Sequence, residues 1–116
     1  MREQVWQLGA GGFYGEILLA PAEADELRLK RDRPLLAVRR FYVHPLRRGQ
    51  GWGAALFSRA TSWADAKGVD LVLYVKPYGR IRKVPAETLE RIYAQYGFRR
   101  LPYNGGDREM IRRAAQ

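Results

Sequence analysis

The sequence contains no cysteine and a single histidine, His44, and these shortages exclude several kinds of chemistry. Without cysteine there is no disulfide scaffold, no thiol nucleophile and no cysteine-based zinc site. One histidine rules out a multi-histidine centre, so we expect no metal. No apolar run approaches the roughly 20 residues that a membrane span needs, and residues 1–4 lack the apolar stretch of a secretory signal. These absences favour a cytoplasmic protein without a membrane partner.

The composition bounds the size and the charge of the molecule. A chain of 116 residues, 47% of them hydrophobic and three of them Trp, predicts one folded domain over residues 1–116. The net charge of +9 favours a polyanionic partner, which is either nucleic acid or a small ligand with several phosphates. Charge alone does not choose between these two, and some of the cations serve only to solvate the surface.

Hydrophobic patterning predicts an alternation of strands and helices. We expect strands over 4–8, 13–20, 35–43, 70–76, 98–103 and 108–113, and helices over 51–67 and 85–97. Residues 21–34 fit a short helix, a strand or a loop almost equally well, and 77–85 form a basic loop. Asn104-Gly105 predicts a tight hairpin between the last two strands. The resulting order, β-β-(?)-β-α-β-α-β-β, indicates a mixed α/β sheet.

The junction between the third strand and the first long helix predicts an anion site. A helix N-terminus offers unpaired N–H groups and partial positive charge, and the glycines at 49, 51 and 53 let a phosphate approach the backbone. Arg47 and Arg48 add fixed charge. The alternative is a glycine-rich turn that binds nothing. A Walker motif is absent, and Asp70 lies at the start of its strand, whereas a dinucleotide site needs an acid at the far end.

At this junction the sequence resembles the GNAT superfamily of N-acetyltransferases. The superfamily's motif A, Val-x-Pro-x-x-Arg-Gly-x-Gly-x-Gly-x-x-Leu, runs from Val43 to Leu56 without a mismatch. A second family motif, Leu-Tyr-x-x-x-Gly-Phe, is similar to the segment from Ile92 to Phe98. The resemblance covers roughly residues 35–113 and implies a GNAT-like acyl-CoA N-acyltransferase fold.

The resemblance also implies a cosubstrate, acetyl-CoA, and a set of binding residues. Backbone N–H groups over 48–54 would hold its pyrophosphate, and the end of the third strand, which splays from the fourth, would pair with its pantetheine arm. Tyr93 matches the tyrosine that protonates the leaving thiolate, and a phenol with a pKa near 10 keeps its proton at neutral pH. The alternative for Tyr93 is a core aromatic residue. The implied cofactor-binding residues are Phe41, Tyr42, Val43, Arg48, Gly49, Gln50, Gly51, Trp52, Gly53 and Ala54.

The sequence departs from the family pattern in three respects. The residues before the third strand are too few for the usual N-terminal strand and the helix pair that roofs the acceptor site. Ala86 replaces a family asparagine, and the strand 35–43 carries no carboxylate where many members place a general base. The base therefore stays open between Glu16, Glu109, His44 and a chain of waters.

These features predict an acetyl-CoA-dependent N-acetyltransferase that acts on a primary amine by direct attack. The acceptor is unknown, with a protein lysine or N-terminus slightly favoured because the site looks open. The alternative is a catalytically weak or inactive GNAT-fold module that acts on a protein or nucleic-acid partner. A small nucleic-acid-binding protein ranks third, and a homodimer is left open.

Overall fold

A computed structural model describes residues 2–75, 85–102 and 108–115. Within these ranges, six strands form one mixed sheet in the order β1-β2-β3-β4-β6-β5, and β3 and β4 are the only neighbours that run parallel. The strands are β1 Gln4–Leu8, β2 Gly15–Pro21, β3 Leu35–Val43, β4 Asp70–Tyr74, β5 Arg99–Arg100 and β6 Glu109–Arg112. The helices are α1 Trp52–Lys67 and α2 Ala86–Ala94. The predicted mixed α/β sheet is confirmed.

Glycine sets both ends of α1, and proline precedes the start of α2. α1 follows Gly51, whose φ is 81°, and ends at Gly68, whose φ is 67°. The Gly68 N–H bonds the carbonyl oxygens of Ala64 and Asp65, as a left-handed C-terminal cap does. Pro85 is the extended residue before α2 and not its first helical residue, so this helix begins one residue later than predicted. Its φ of −59° still leads the chain into the helix.

The two faces of the sheet are covered differently. Both helices pack on one face, where Leu56 of α1 and Leu89 of α2 join Leu36 and Leu71 of the strands in the main core. The opposite face carries a smaller cluster to which the β2–β3 connection contributes Leu29. This connection is the segment 21–34 that sequence patterning left open. It contains a short 3₁₀ helix, Glu26–Leu29, that covers the second face.

The parallel pair β3–β4 separates after three residues. Its register joins Leu35–Asp70, Leu36–Leu71 and Ala37–Val72, whereas β3 continues to Val43 alongside β2. The β2–β3 register also shifts here, because Leu19 pairs with Val38 and Leu18 with Arg40. Arg39 is therefore a β-bulge residue, which bends β3 away from β4. The predicted splay of the third strand from the fourth is confirmed.

Several predicted boundaries differ from the structure. β2 begins at Gly15 because Phe13 and Tyr14 belong to a turn that closes with a bond from Tyr14 N–H to the Leu8 carbonyl oxygen. Of the strand expected over 98–103, the structure describes residues 98–102, and among these Arg99–Arg100 pair antiparallel with β6. The Asn104-Gly105 hairpin turn and most of the loop 77–85 lie outside the described residues. No helix in the described ranges is long and apolar enough to cross a bilayer.

Candidate functional site

A cavity of about 390 Å³ opens where β3 leaves β4, beside the start of α1. Its walls come from the end of β3, the loop that follows, the first turns of α1 and the end of α2. The lining residues are Phe41, Val43, Arg47, Arg48, Gly49, Gly51, Gly53, Ala54, Phe57, Ile92, Gln95 and Tyr96. The two sequence motifs, about forty residues apart, therefore meet at one cavity.

The loop from β3 to α1 is shaped by its own short-range hydrogen bonds. Pro45–Arg47 form a 3₁₀ turn, and the Leu46 N–H donates to His44 Nδ1 over 3.1 Å. Arg48 Nε donates to the Val43 carbonyl oxygen over 3.0 Å, which ties the loop to the end of the strand. The Arg48 side chain is thus held at the cavity wall.

Two glycines of this loop adopt backbone conformations that other residues rarely take. The φ angles are 76° at Gly49 and 81° at Gly51, in the left-handed region. A Cβ atom built at either position would have no neighbouring atom within 4 Å. The glycines are therefore needed for the turn itself, and the space above them is open to a ligand.

The N-terminus of α1 faces this open space without a side-chain cap. Gly51 accepts a hydrogen bond from the Ala55 N–H over 3.0 Å and, among the described residues, no side chain caps the helix. The N–H groups of the first turn have no partner within a helix and carry partial positive charge. With the Arg47 and Arg48 guanidiniums beside them, they can bind an anionic group such as a pyrophosphate.

Aromatic rings form the apolar side of the cavity. The Phe57 ring lies 5.1 Å from Phe41 and 4.7 Å from Tyr96, centre to centre. Tyr93 stacks on the same ring at 5.5 Å and is 8% exposed. The lining residues from the end of α2 include Tyr96 but not Tyr93. Two phenols of this segment therefore meet one phenylalanine, and Tyr96 faces the cavity more openly.

Three of the predicted binding residues point their side chains elsewhere. The Tyr42 hydroxyl donates to the Gly12 carbonyl oxygen, on the far side of the strand. Gln50 donates to the Leu46 carbonyl oxygen over 3.3 Å and accepts from Trp52 Nε1 over 3.1 Å. Trp52 borders a neighbouring cavity of about 290 Å³ that Arg47 also lines. At these three positions only backbone groups can bind a ligand in the first cavity.

Other lining residues lie outside the predicted set. Arg47 borders the cavity, as its predicted place beside the anion site requires. Phe57, Ile92, Gln95 and Tyr96 also border it, although they were not expected there. Arg47 also lies over the Tyr14 ring, 4.5 Å from its centre. The position of Tyr96 inside the second motif could have indicated it, whereas the contribution of Phe57 depends on the depth at which α1 packs.

The three candidate bases are all engaged with neighbouring groups. Glu16 accepts hydrogen bonds from Gln7 over 2.6 Å and from Arg40 over 2.7 Å, and these contacts lower its pKa, the Gln7 bond most. Glu109 accepts from Arg28 over 2.5 Å. The His44 ring stacks on Phe13, 5.2 Å between centres. The structure brings none of the three to the lining of the main cavity.

A polar cluster occupies the other face of the sheet where β3 and β4 part. Glu26 is 1% exposed, and Arg39 donates two hydrogen bonds to its carboxylate, one of them over 2.9 Å. Burial alone would raise the pKa of Glu26, but the bonds from Arg39 and the Glu23 N–H outweigh it and lower the pKa. Tyr74 of β4 belongs to the same cluster, where burial, with the charges of Glu26 and Glu109, raises its pKa to about 12.

The geometry of the site defines a class of protein. A split mixed sheet with a glycine-rich strand–helix junction suits an α/β domain that binds a phosphate-bearing cofactor. No group of three or more potential metal ligands occurs in the part of the chain that the structure describes. Residues 2–100 match the family model of the acetyltransferase (GNAT) domain, and the chain therefore belongs to the GNAT acetyltransferase family.

Solved structures share this fold at low sequence identity. The anti-CRISPR protein AcrVA5 superposes with a TM-score of 0.66 at 18% identity, over 96% of this chain and 98% of its own. The PaiA N-acetyltransferase of Thermoplasma acidophilum, solved with coenzyme A, superposes with a TM-score of 0.63 at 19% identity, over 97% of this chain and 62% of its own. The ribosomal-protein-S18-alanine N-acetyltransferase of Escherichia coli superposes with a TM-score of 0.67 at 16% identity, over 99% of this chain and 71% of its own.

The chain thus spans less than two thirds of the PaiA enzyme and nearly all of AcrVA5. At such identities the likeness establishes the fold alone. No curated protein sequence matches the chain significantly.

Proposed function

We propose that this protein transfers an acetyl group from acetyl-CoA to a primary amine. The observation that carries the proposal is the uncapped N-terminus of α1, which opens with Gly49 and Gly51 onto the cavity between the parted strands. Membership of the GNAT family and the coenzyme A solved with the PaiA N-acetyltransferase support the same cosubstrate.

The residues of the cavity fit the parts of this cosubstrate. The N–H groups from Arg48 to Ala54 would hold the pyrophosphate, with the Arg47 and Arg48 guanidiniums as counter-charges. Over 38–43, β3 runs beyond its pairing with β4, and its backbone would pair with the amide-bearing arm as an added strand does. When bound, acetyl-CoA supplies a thioester carbonyl that an amine can attack. The Phe41 and Phe57 rings shield that region from water.

The proton for the departing thiolate would come from a phenol at the end of α2. Tyr93 occupies the position of the family motif, and its ring is fixed against Phe57. Tyr96 borders the cavity directly, so it is the alternative donor and the natural comparison. Either hydroxyl is a general acid of a type that accelerates reactions about 10²–10⁴-fold.

The acceptor would enter from the face of the sheet opposite to the helices. We favour a lysine or N-terminus of a macromolecule over a small metabolite. A second candidate is a weakly active or inactive module that binds a protein or nucleic acid. It is favoured by the engagement of Glu16 and Glu26 with arginines, because carboxylates with lowered pKa are poor bases.

Thermal unfolding with acetyl-CoA, CoA, NAD and ATP in parallel tests the cosubstrate. Ligand at 100 times its dissociation constant adds about 2.7 kcal/mol to the free energy of unfolding, which raises the Tm of a domain of this size by roughly 10 °C. We expect that shift with acetyl-CoA and CoA. A shift with NAD or ATP and none with CoA would overturn the proposal.

Activity is tested separately, with acetyl-CoA and a mixture of lysine peptides and small amines. Acetylated product from the wild type supports the enzyme. Binding of acetyl-CoA without product from any amine supports the binding module.

A further inference from the structure

Backbone hydrogen bonds between β3 and β4 stop at Ala37 and Val72, yet the two strands continue beyond that point. Neighbouring strands with unpaired edges tend to pair, because each unmade ladder bond leaves polar groups unsatisfied. A stable gap of fixed width therefore needs something that holds the strands at their distance. The bulge at Arg39 starts the separation but does not fix its width.

A side-chain bridge spans the strands just beyond the last paired residues. The Glu26 carboxylate, delivered by the 3₁₀ helix of the β2–β3 connection, accepts two hydrogen bonds from Arg39 of β3. The Tyr74 hydroxyl of β4, two residues beyond the last paired residue Val72, interacts with the same carboxylate. One buried carboxylate thus links both strands from the face opposite to the cavity.

Contacts within and below the β2–β3 connection hold the Glu26 carboxylate in place. The Glu23 N–H donates to Glu26 Oε1 over 2.8 Å, which orients the carboxylate within its own turn. Leu29, at the end of the same 3₁₀ helix, packs on the small apolar cluster of the second face, next to Ala37 and Val72. The segment is therefore anchored at the last paired residues of the two strands, and its carboxylate reaches past them.

We propose that Glu26 is a positioning residue, which sets the width of the gap between β3 and β4 and thereby the slot for the cofactor arm. This inference rests on the proposed function, since it assumes that the arm of acetyl-CoA lies along β3. Glu26 acts through Arg39 and Tyr74 and does not touch the cofactor. Its loss should weaken binding of the arm and leave the pyrophosphate grip at α1 unchanged.

The test compares two ligands on the same variants by isothermal titration. Acetyl-CoA carries the arm, whereas 3′-phospho-ADP keeps the phosphates and lacks the arm. In Glu26→Gln, which preserves size and removes the charge, we expect the Kd of acetyl-CoA to rise roughly tenfold because the slot is no longer preorganised. The Kd of 3′-phospho-ADP should stay within about twofold of the wild type. Tyr74→Phe, which removes the link to β4 alone, should move the same ratio in the same direction by less.

Asp70→Asn is the matched control. Asp70 is 2% exposed and pairs with Arg113 over 2.9 Å, so the change also breaks a buried ion pair of this sheet. It does so where β3 and β4 are still paired, because Asp70 lies opposite Leu35. We expect a lower melting temperature and an unchanged ratio of the two Kd values. If a general loss of stability caused the change in the ratio of the two Kd values, both Glu26→Gln and Asp70→Asn would show it.

The outcomes separate this inference from the proposed function. If the wild type binds 3′-phospho-ADP and acetyl-CoA and Glu26→Gln leaves their Kd ratio unchanged, the bridge does not set the slot and this inference is wrong. If the wild type binds neither ligand, the proposed function fails and takes the inference with it. Should Glu26→Gln not fold, the ratio of the two Kd values is measured in Tyr74→Phe instead. A ratio equal to that of the wild type would then contradict the inference.

Discussion

Replacing Gly53 by alanine should make the free protein more stable and the cofactor bind less well. Gly53 is the second residue of α1. An added Cβ would lie 3.4 Å from Val43 Cγ2 and 3.5 Å from Phe41 Cζ, which are ordinary van der Waals distances. Alanine in a helix is about 0.5–1 kcal/mol more stable than glycine. For a domain of this size we expect the Tm to rise by roughly 2–4 °C.

The same methyl group would stand on the floor of the cavity. Gly53, Phe41 and Val43 all line it, and the first-turn N–H groups are proposed to reach the pyrophosphate there. A contact already at 3.4 Å leaves no room for the methyl to sink into the wall. We expect the Kd of acetyl-CoA to rise by about tenfold or more, which corresponds to about 1.4 kcal/mol.

Differential scanning fluorimetry of the free protein and titration with acetyl-CoA measure the two effects. Gly68→Ala is the control at the other end of α1, where the φ of 67° makes alanine strained by about 1–2 kcal/mol. This control should lower the Tm and leave the Kd unchanged. If Gly53→Ala raises the Tm but binds acetyl-CoA as the wild type does, the phosphates are not held at the start of α1.

Three further predictions concern residues around and away from the cavity. Tyr93→Phe should reduce turnover about 10²–10⁴-fold with the Kd of acetyl-CoA unchanged. Tyr96→Phe should retain turnover, and the reverse pattern would make Tyr96 the acid. Asp65→Asn should lower the free energy of unfolding, measured by chemical denaturation, by about 1–3 kcal/mol, because the Asp65 carboxylate accepts hydrogen bonds from two guanidinium nitrogens of Arg112. The Kd of acetyl-CoA should not change, since Asp65 lies away from the cavity lining. In an alkaline spectroscopic titration, one tyrosine should ionise near the raised pKa of Tyr74, about 12. This ionisation step should be absent from Tyr74→Phe, and ionisation of all tyrosines near pH 10 would contradict the prediction.

The pKa shifts give these last two variants opposite pH signatures. The pKa of Asp65 is lowered, chiefly by the hydrogen bonds from Arg112, so its stabilisation is present above its ordinary pKa of 3.8. It is lost as the pH falls below that value, and Asp65→Asn should show less loss there. The pKa of Tyr74 is raised, so the folded state holds its proton longer than the unfolded chain does. Stability should therefore fall between about pH 10 and pH 12, and Tyr74→Phe should lack that component.

The features that could be predicted from the sequence are those with local causes. The bounds of β1 and β3 match the prediction, since alternating and apolar runs end at a turn glycine and before a proline. The glycine loop was recognisable because its donors, glycines and arginines are contiguous. The start of β2 was misjudged because Phe13 and Tyr14 look strand-like but pack outward on His44 and Arg47 at a turn. The role of residues 21–34 depends on Glu26 reaching a partner thirteen positions away.

Side-chain orientation within the site is also beyond a sequence argument. Strand alternation assigns Tyr42 and Phe41 to opposite faces, but it does not say that the Tyr42 hydroxyl binds Gly12. The family motif selects Tyr93, whereas helix packing brings Tyr96 to the cavity as well. Such choices are made by rotamers and by the depth of packing, which leave no periodic signal in the chain.

The net charge of +9 suggested a polyanionic partner, and the structure shows how part of it is used. Many arginines are committed to carboxylates of the fold, in the pairs Arg28–Glu109, Arg39–Glu26, Arg40–Glu16, Arg112–Asp65 and Arg113–Asp70. Most of these carboxylates are buried, so the pairs neutralise charges that would otherwise be costly to bury. Arg47 and Arg48 differ, because both line the cavity at the start of α1. Two arginines thus stand at the place where a pyrophosphate would bind, as the recognition of a phosphorylated ligand requires.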